Sequence, residues 1–161
     1  MIRDACAGDA PAVAALWNHF IRDTVVTFNA TEKSVDEVRA LIAARQIERC
    51  FVVAEWAGAV CGFATYDQFR GGVGYVHTME HTIQLAPDAG GRGLGRALMA
   101  AVESHARTAG AHVMVAGVTA ENTAGQAFHA ALGYRLVGRM PEVGRKFGRW
   151  MDLVLMQKIL S

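Results

Sequence analysis

Glycine fills four of the six positions in Gly90-Gly91-Arg92-Gly93-Leu94-Gly95. The run lies between a β-patterned stretch and an amphipathic one of helical period. A turn that only reverses the chain needs one or two glycines. Four allow successive backbone N–H groups to converge, and the partial positive charge of a helix N-terminus completes a cradle suited to a pyrophosphate. The run is no Walker loop, because no Gly-Lys-Ser/Thr follows. Nor is it the dinucleotide fingerprint, because the glycine spacing is wrong and no acidic residue closes a surrounding βαβ unit.

Glu80 stands inside the apolar stretch leading into that loop, flanked by His77, His81 and Thr82. A carboxylate in a mid-sheet strand costs desolvation energy unless it is paired or opens onto a cleft, and burial raises its pKa toward the range of a general base. Simple alternation with Thr78, Thr82 and Gln84 allows a solvent-facing residue instead, and spacing alone leaves both readings open. Two histidines four apart on a strand project over about 13 Å, too far for a shared metal with Glu80, so no metal is expected. Asn122 opens AENTAGQAFHAALGY as either a helix N-cap or an amide that holds a ligand arm. His129 on the same segment reads as a surface or internally satisfied residue, and Tyr134 as a core aromatic or a proton donor.

The elements that must hold these groups follow from periodicity. Asp9 and Pro11 start a helix carrying Val13, Leu16, Trp17 and Phe20, and Ser34 with Glu37 forms a capping box for a second. CFVVAEW and VCGFATYDQF read as a hairpin turning at Ala57-Gly58, and YVHTMEHTIQL as a strand. A helix follows from Leu94 to a C-cap at Gly110, then the continuously apolar strand HVMVAGV, which belongs mid-sheet. Ala124 to Leu132 is a short helix. Tyr134 to Arg139 and Trp150 to Lys158 are two last strands around a loop with Pro141 and Gly144. The order β-α-α-β-β-β-α-β-α-β-β predicts one α/β domain over 1–161, a mixed sheet with helices on both faces. With 16 basic and 15 acidic residues the formal net charge is +1, so no polyelectrolyte attraction to nucleic acid or membrane is expected. Cys6, Cys50 and Cys61 are unpaired in spacing, and the N-terminus MIRDACAGDAP lacks an apolar leader core, which together suggest a cytoplasmic protein.

The stretches FRGGVGYVHTMEHTIQL, GGRGLGRAL, HVMVAGVTAENTAGQAFHAALGY and VGRKFGRWMDLVLMQ together resemble the GNAT superfamily of acetyl-CoA-dependent N-acetyltransferases, in the phosphinothricin and methionine-sulfoximine branch, over nearly the whole chain. The resemblance implies a sheet of about seven strands splayed between the fourth and fifth, with acetyl-CoA in the gap. It implies that Gly91, Arg92, Gly93, Leu94, Gly95 and Arg96 cradle the pyrophosphate, that Ile83, Gln84 and Leu85 pair with the pantetheine arm, and that Asn122 contacts that arm. It favours Glu80 as general base and offers Tyr134 as the acid that protonates the thiolate. For a small amino acid or analogue it implies Arg70 as carboxylate clamp beside Gly71 and Gly72, with Glu80, His81 and Thr82 lining the pocket and Phe28 and Lys146 closing it. A homodimer is also implied. Gly90, Gln84, Gly125 and Gly71-Gly72 depart from the family's usual residues. Alternatives are a non-catalytic acyl-CoA sensor, or an acceptor that is a protein N-terminus or an aminoglycoside.

Overall fold

The computed structural model describes residues 1–161. Strand β1 (Ile2–Asp4) leads into helices α1 (Ala10–Asp23) and α2 (Val35–Glu48), then the hairpin β2 (Phe51–Trp56) and β3 (Ala59–Gln68) and strand β4 (Thr78–Leu85). Helix α3 (Leu94–Thr108), β5 (Val113–Thr119), α4 (Thr123–Ala131), β6 (Arg135–Lys146) and β7 (Arg149–Ile159) complete the chain. No helix is long and apolar enough to cross a membrane.

Local chemistry accounts for several boundaries. Ser34 Oγ accepts from the Glu37 amide at 3.1 Å while the Glu37 carboxylate accepts from the Ser34 amide at 2.6 Å, so the capping box forms. Ala57 (φ 52°) and Gly58 (φ 81°) both take positive φ at the β2–β3 turn, as a two-residue hairpin demands. Asp9 precedes α1 but does not cap it, because its carboxylate is held by Arg3 at 2.8 Å and by the Cys6 amide at 2.7 Å.

The seven strands order as β1-β2-β3-β4-β5-β7-β6. One face packs against α3 through Tyr66, Met79, Leu98, Met99, Val102 and Met114. The other packs against α1 and α2 through Val13, Val38, Ile42, Phe51 and Phe63. The final loop expected around Pro141 is instead strand: β6 runs to Lys146 with a register shift between Met140 and Gly144. Proline lacks a donor for the ladder and is tolerated at a bulge on an edge strand, which is β6's position.

β4 and β5 are the only parallel neighbours, and they pair at just three positions, Thr78–Val113, Met79–Met114 and Glu80–Val115. Beyond Glu80 they part, although β4 continues to Leu85 and β5 to Thr119. That parting leaves one edge of β4 without a ladder partner and opens the middle of the sheet.

Candidate active site

The gap is the mouth of a cleft of about 340 Å³. Glu80 to Gln84 line it from β4, Gly117 to Thr119 from β5, Leu153 from β7, Asn122 and His129 from α4 and its entry, and Val26 to Asn29 from the loop after α1. Side chains alternate along β4. Glu80, Thr82 and Gln84 therefore face the α1–α2 side with Phe63, and His81 and Ile83 face the α3–α4 side with Met79.

Glu80 has no ion pair and no side-chain hydrogen bond. It is open to the cleft, yet protein crowds it on its other sides, and that partial burial pushes its carboxyl above the ordinary carboxylate range. Across the gap stands Gly117, where an added Cβ would be 3.9 Å from Glu80 Oε2. Glycine in an otherwise apolar strand keeps the space in front of the carboxylate clear.

On the opposite face two imidazoles meet. His129 Nδ1 is 2.7 Å from the Gly125 carbonyl and must donate to it, which leaves His129 Nε2 an acceptor. His81 Nε2, 3.1 Å from His129 Nε2, is then the donor, and both rings are neutral. His81 Nδ1 is left as a buried lone pair with no partner. Burial lowers both pKa values, that of His81 to about 3. The buried Thr119 hydroxyl, on the β5 wall, likewise has no partner.

Other expected site residues lie elsewhere. Tyr134 is buried, and its hydroxyl donates to Glu103 Oε1 at 2.9 Å, with Lys158 Nζ on the other carboxylate oxygen at 2.6 Å. It does not line the cleft, and burial beside Glu103 raises its pKa far above the ordinary phenol value. Its ring packs edge-on against His81 and His129, and its hydroxyl hydrogen is committed to Glu103. Arg70, Gly71 and Gly72 are exposed outside the cleft lining, with Arg70 stacked on the Tyr75 ring at 5.0 Å, so the clamp and the glycine rim are not assembled against Glu80. Phe28 does line the cleft, but Lys146 is buried behind it, with all its donors spent on backbone carbonyls. Lys146 therefore has no free donor to offer an acceptor and closes the cleft from behind.

The acetyl-CoA implied by the resemblance can be set against this geometry. Gly91 (φ 75°) and Gly93 (φ 74°) take the left-handed conformation just before α3, whose first backbone amides have no helical partners. Arg92 is turned back onto the Asp88 carbonyl at 2.6 Å and the Trp56 ring at 5.2 Å, whereas Arg96 in the first turn is exposed without an ion pair. Leu94 is buried and Gly95 lies against Phe128, where a Cβ would approach the ring to 3.2 Å, so packing fixes both positions. Asn122 realises the cap: its Oδ1 accepts from the Gly125 amide at 2.9 Å, and its side chain fills the space a Cβ on Gly125 would need. Its Nδ2 stays available at the cleft. A phosphate cradle, an unpaired β4 edge at Ile83 to Leu85, and the orphaned Thr119 hydroxyl together fit a long anionic cofactor whose arm ends near Glu80.

Sequence reasoning did not find Gly117, Thr119, the His81–His129 contact or, apart from Phe28, the Val26–Asn29 wall. Only Gly117, a glycine within an apolar strand, left a local trace.

Residues 2–155 match the family described as an acetyltransferase (GNAT) domain. The L-amino acid N-acyltransferase MnaT of Escherichia coli is 40% identical over 157 residues, which cover 97% of this chain and 91% of that protein. An L-methionine sulfoximine/L-methionine sulfone acetyltransferase of Pseudomonas paraeruginosa is 39% identical, with 97% and 92% covered. A phosphinothricin acetyltransferase of Sinorhizobium meliloti, solved in complex with acetyl-CoA, superposes with a TM-score of 0.94 at 31% identity, covering all of this chain and 88% of that one.

Proposed function

The chain belongs to the acetyltransferase (GNAT) domain family, and from that membership we propose that it acetylates the α-amino group of a small amino acid or analogue, of the methionine sulfoximine or phosphinothricin kind, with Glu80 as general base. It is an acetyl-CoA-dependent N-acetyltransferase. The observation that carries the residue assignment is the unpaired Glu80 carboxylate, raised in pKa, facing open space at Gly117 where the sheet parts.

Acetyl-CoA, when bound, supplies an acetyl group activated as a thioester. An ammonium has no lone pair, so Glu80 takes a proton from the acceptor nitrogen, directly or through one water, before attack. Backbone N–H groups on the unpaired edge of β4 can donate to the carbonyl oxygen as charge gathers there. The cleft walls fix amine against thioester, which supplies much of the remaining acceleration. Cysteine has no part in this reading. Burial pushes the Cys50 thiol up to about 12 and also raises that of Cys61, and neither lines the cleft.

Cytoplasmic residence and a homodimer belong to the same proposal. The dimer draws support from exposed Leu136, Val137, Trp150 and Ile159 on the last two strands. Release of free thiol from acetyl-CoA across a panel of amino acids, methionine sulfoximine, phosphinothricin, an aminoglycoside and N-terminal peptides tests the acceptor class. Turnover confined to the small amino acids and analogues is expected. Thiol release with the peptides or the aminoglycoside alone would overturn that class, and acetyl-CoA binding without turnover of any amine would favour the sensor.

A further inference from the structure

Lys146 is a buried ammonium with no carboxylate partner. Its Nζ donates to the Thr24 carbonyl at 2.7 Å, the Thr27 carbonyl at 2.7 Å and the Phe20 carbonyl at 3.4 Å, one acceptor for each of its three hydrogens. Two of these carbonyls, Phe20 and Thr24, belong to the C-terminal end of α1, whose last carbonyls have no helical partner and carry the negative end of the helix dipole. The third is in the wall of the cleft itself.

Gly144 stands two residues earlier on β6, on the same side of the strand as Lys146. The Phe28 ring lies directly on it: an added Cβ would come within 2.5 Å of Phe28 Cδ2. At the far end of the same loop, Asn18 donates to the Lys33 carbonyl at 2.8 Å and accepts from the Lys33 amide at 2.8 Å. The segment from Thr24 to Lys33 is thus tied at both ends, and its middle, Val26 to Asn29, faces Glu80 across the cleft.

We propose that Gly144 and Lys146 are positioning residues for the acceptor: from an edge strand they hold the Val26–Asn29 wall at its distance from Glu80, so that acceptor recognition depends on them and acetyl-CoA binding does not. This rests on the cleft being the acetyl-transfer site. The cradle at Gly91 to Arg96 lies on the α3 side and shares no contact with the Lys146 clamp. A bare glycine under Phe28 sets the depth of the wall, and a buried cation, with no acceptor contact of its own, sets its place.

The test uses Lys146→Met, which keeps the length of the side chain and removes the three donors, and Gly144→Ala, which keeps the clamp and lifts the ring. Each is measured by acceptor KM and kcat, by calorimetric acetyl-CoA affinity, and by amide hydrogen exchange. Both variants should raise acceptor KM by roughly ten-fold or more while kcat moves within about three-fold, the pattern of lost acceptor binding. Acetyl-CoA affinity should be unchanged, and exchange should quicken at residues 24–29 but not in α3 or β5. An unchanged acceptor KM in a folded variant, or acetyl-CoA affinity falling in step with it, overturns the proposal. If Lys146→Met does not fold, Gly144→Ala decides on the same readings. A wild-type protein that turns over no amine defeats the acetyl-transfer reading instead. In that case unchanged exchange at residues 24–29 in the variants would still refute the clamp.

Discussion

Glu80 faces Gly117 across the β4–β5 gap, and a methyl group on Gly117 would stand 3.9 Å from Glu80 Oε2 and 3.7 Å from Leu153 Cδ1. Both are ordinary contacts, so Gly117→Ala should fold and retain most activity. Gly117→Val adds a branch where the acceptor nitrogen must approach. It should lose about 10²-fold in kcat/KM, as misplacement of reacting groups does, while thermal melting moves little. Steady-state kinetics beside a melting curve on the two variants checks this contrast.

The His81–His129 pair makes stability depend on pH. Both pKa values are depressed by burial, so the unfolded chain binds protons that the folded chain refuses. The pair therefore costs no stability above about 6.5, and a growing penalty appears as pH falls toward about 3, the folded value of His81. Denaturant titrations between pH 7 and 4.5 should show wild type weakening, and replacement of both histidines by leucine should flatten that slope. His129→Ala alone strands the His81 Nε2–H and should cost about 1–3 kcal/mol at pH 7.

Gly93 and Gly90 separate the cradle from an ordinary loop. Gly93 has φ 74° with open space around its Cβ position, whereas Gly90 sits at φ −62° in extended backbone. Gly93→Ala strains the residue before α3 by about 1–2 kcal/mol and should weaken acetyl-CoA binding measured by calorimetry. Gly90→Ala should leave that affinity nearly unchanged.

Tyr134→Phe removes a donor to the buried Glu103 carboxylate. Hydrogen bonds to charged groups contribute about 1.5–3 kcal/mol, so a stability loss of that order should accompany a kcat within a few-fold of wild type. A fall of several hundred-fold in kcat without loss of stability would return Tyr134 to the reacting centre.

What the sequence disclosed was whatever has a local cause. Positive φ before α3 requires glycine, so Gly91 and Gly93 announce the cradle, and Ser34 with Glu37 announces α2 because capping spans three residues. Apolar runs gave the sheet, and Glu80 stood out as a carboxylate among them. The contacts that complete the site join distant residues. His81 meets His129 only because α4 packs over β4, and Lys146 reaches Thr24 only because β6 ends beside the C-terminus of α1. The resemblance offers Lys146 only as a residue closing the pocket, and no neighbour in the sequence signals its burial against the end of α1. Tyr134 meets Glu103 for the same reason: Tyr134 lies between α4 and β6 and Glu103 on α3, and only the packed fold brings them together.

The central claim is that Glu80 removes the acceptor's proton, and its most direct test is acceptor-dependent thiol release by wild type and Glu80→Gln across pH. Burial raises the Glu80 pKa, so wild-type kcat/KM should fall as pH drops through a value above 4.5. Glu80→Gln should lose about 10²–10⁴-fold in kcat and lack that acidic limb, with acetyl-CoA affinity intact. A Glu80→Gln enzyme with wild-type kcat and an unaltered pH profile would contradict the account.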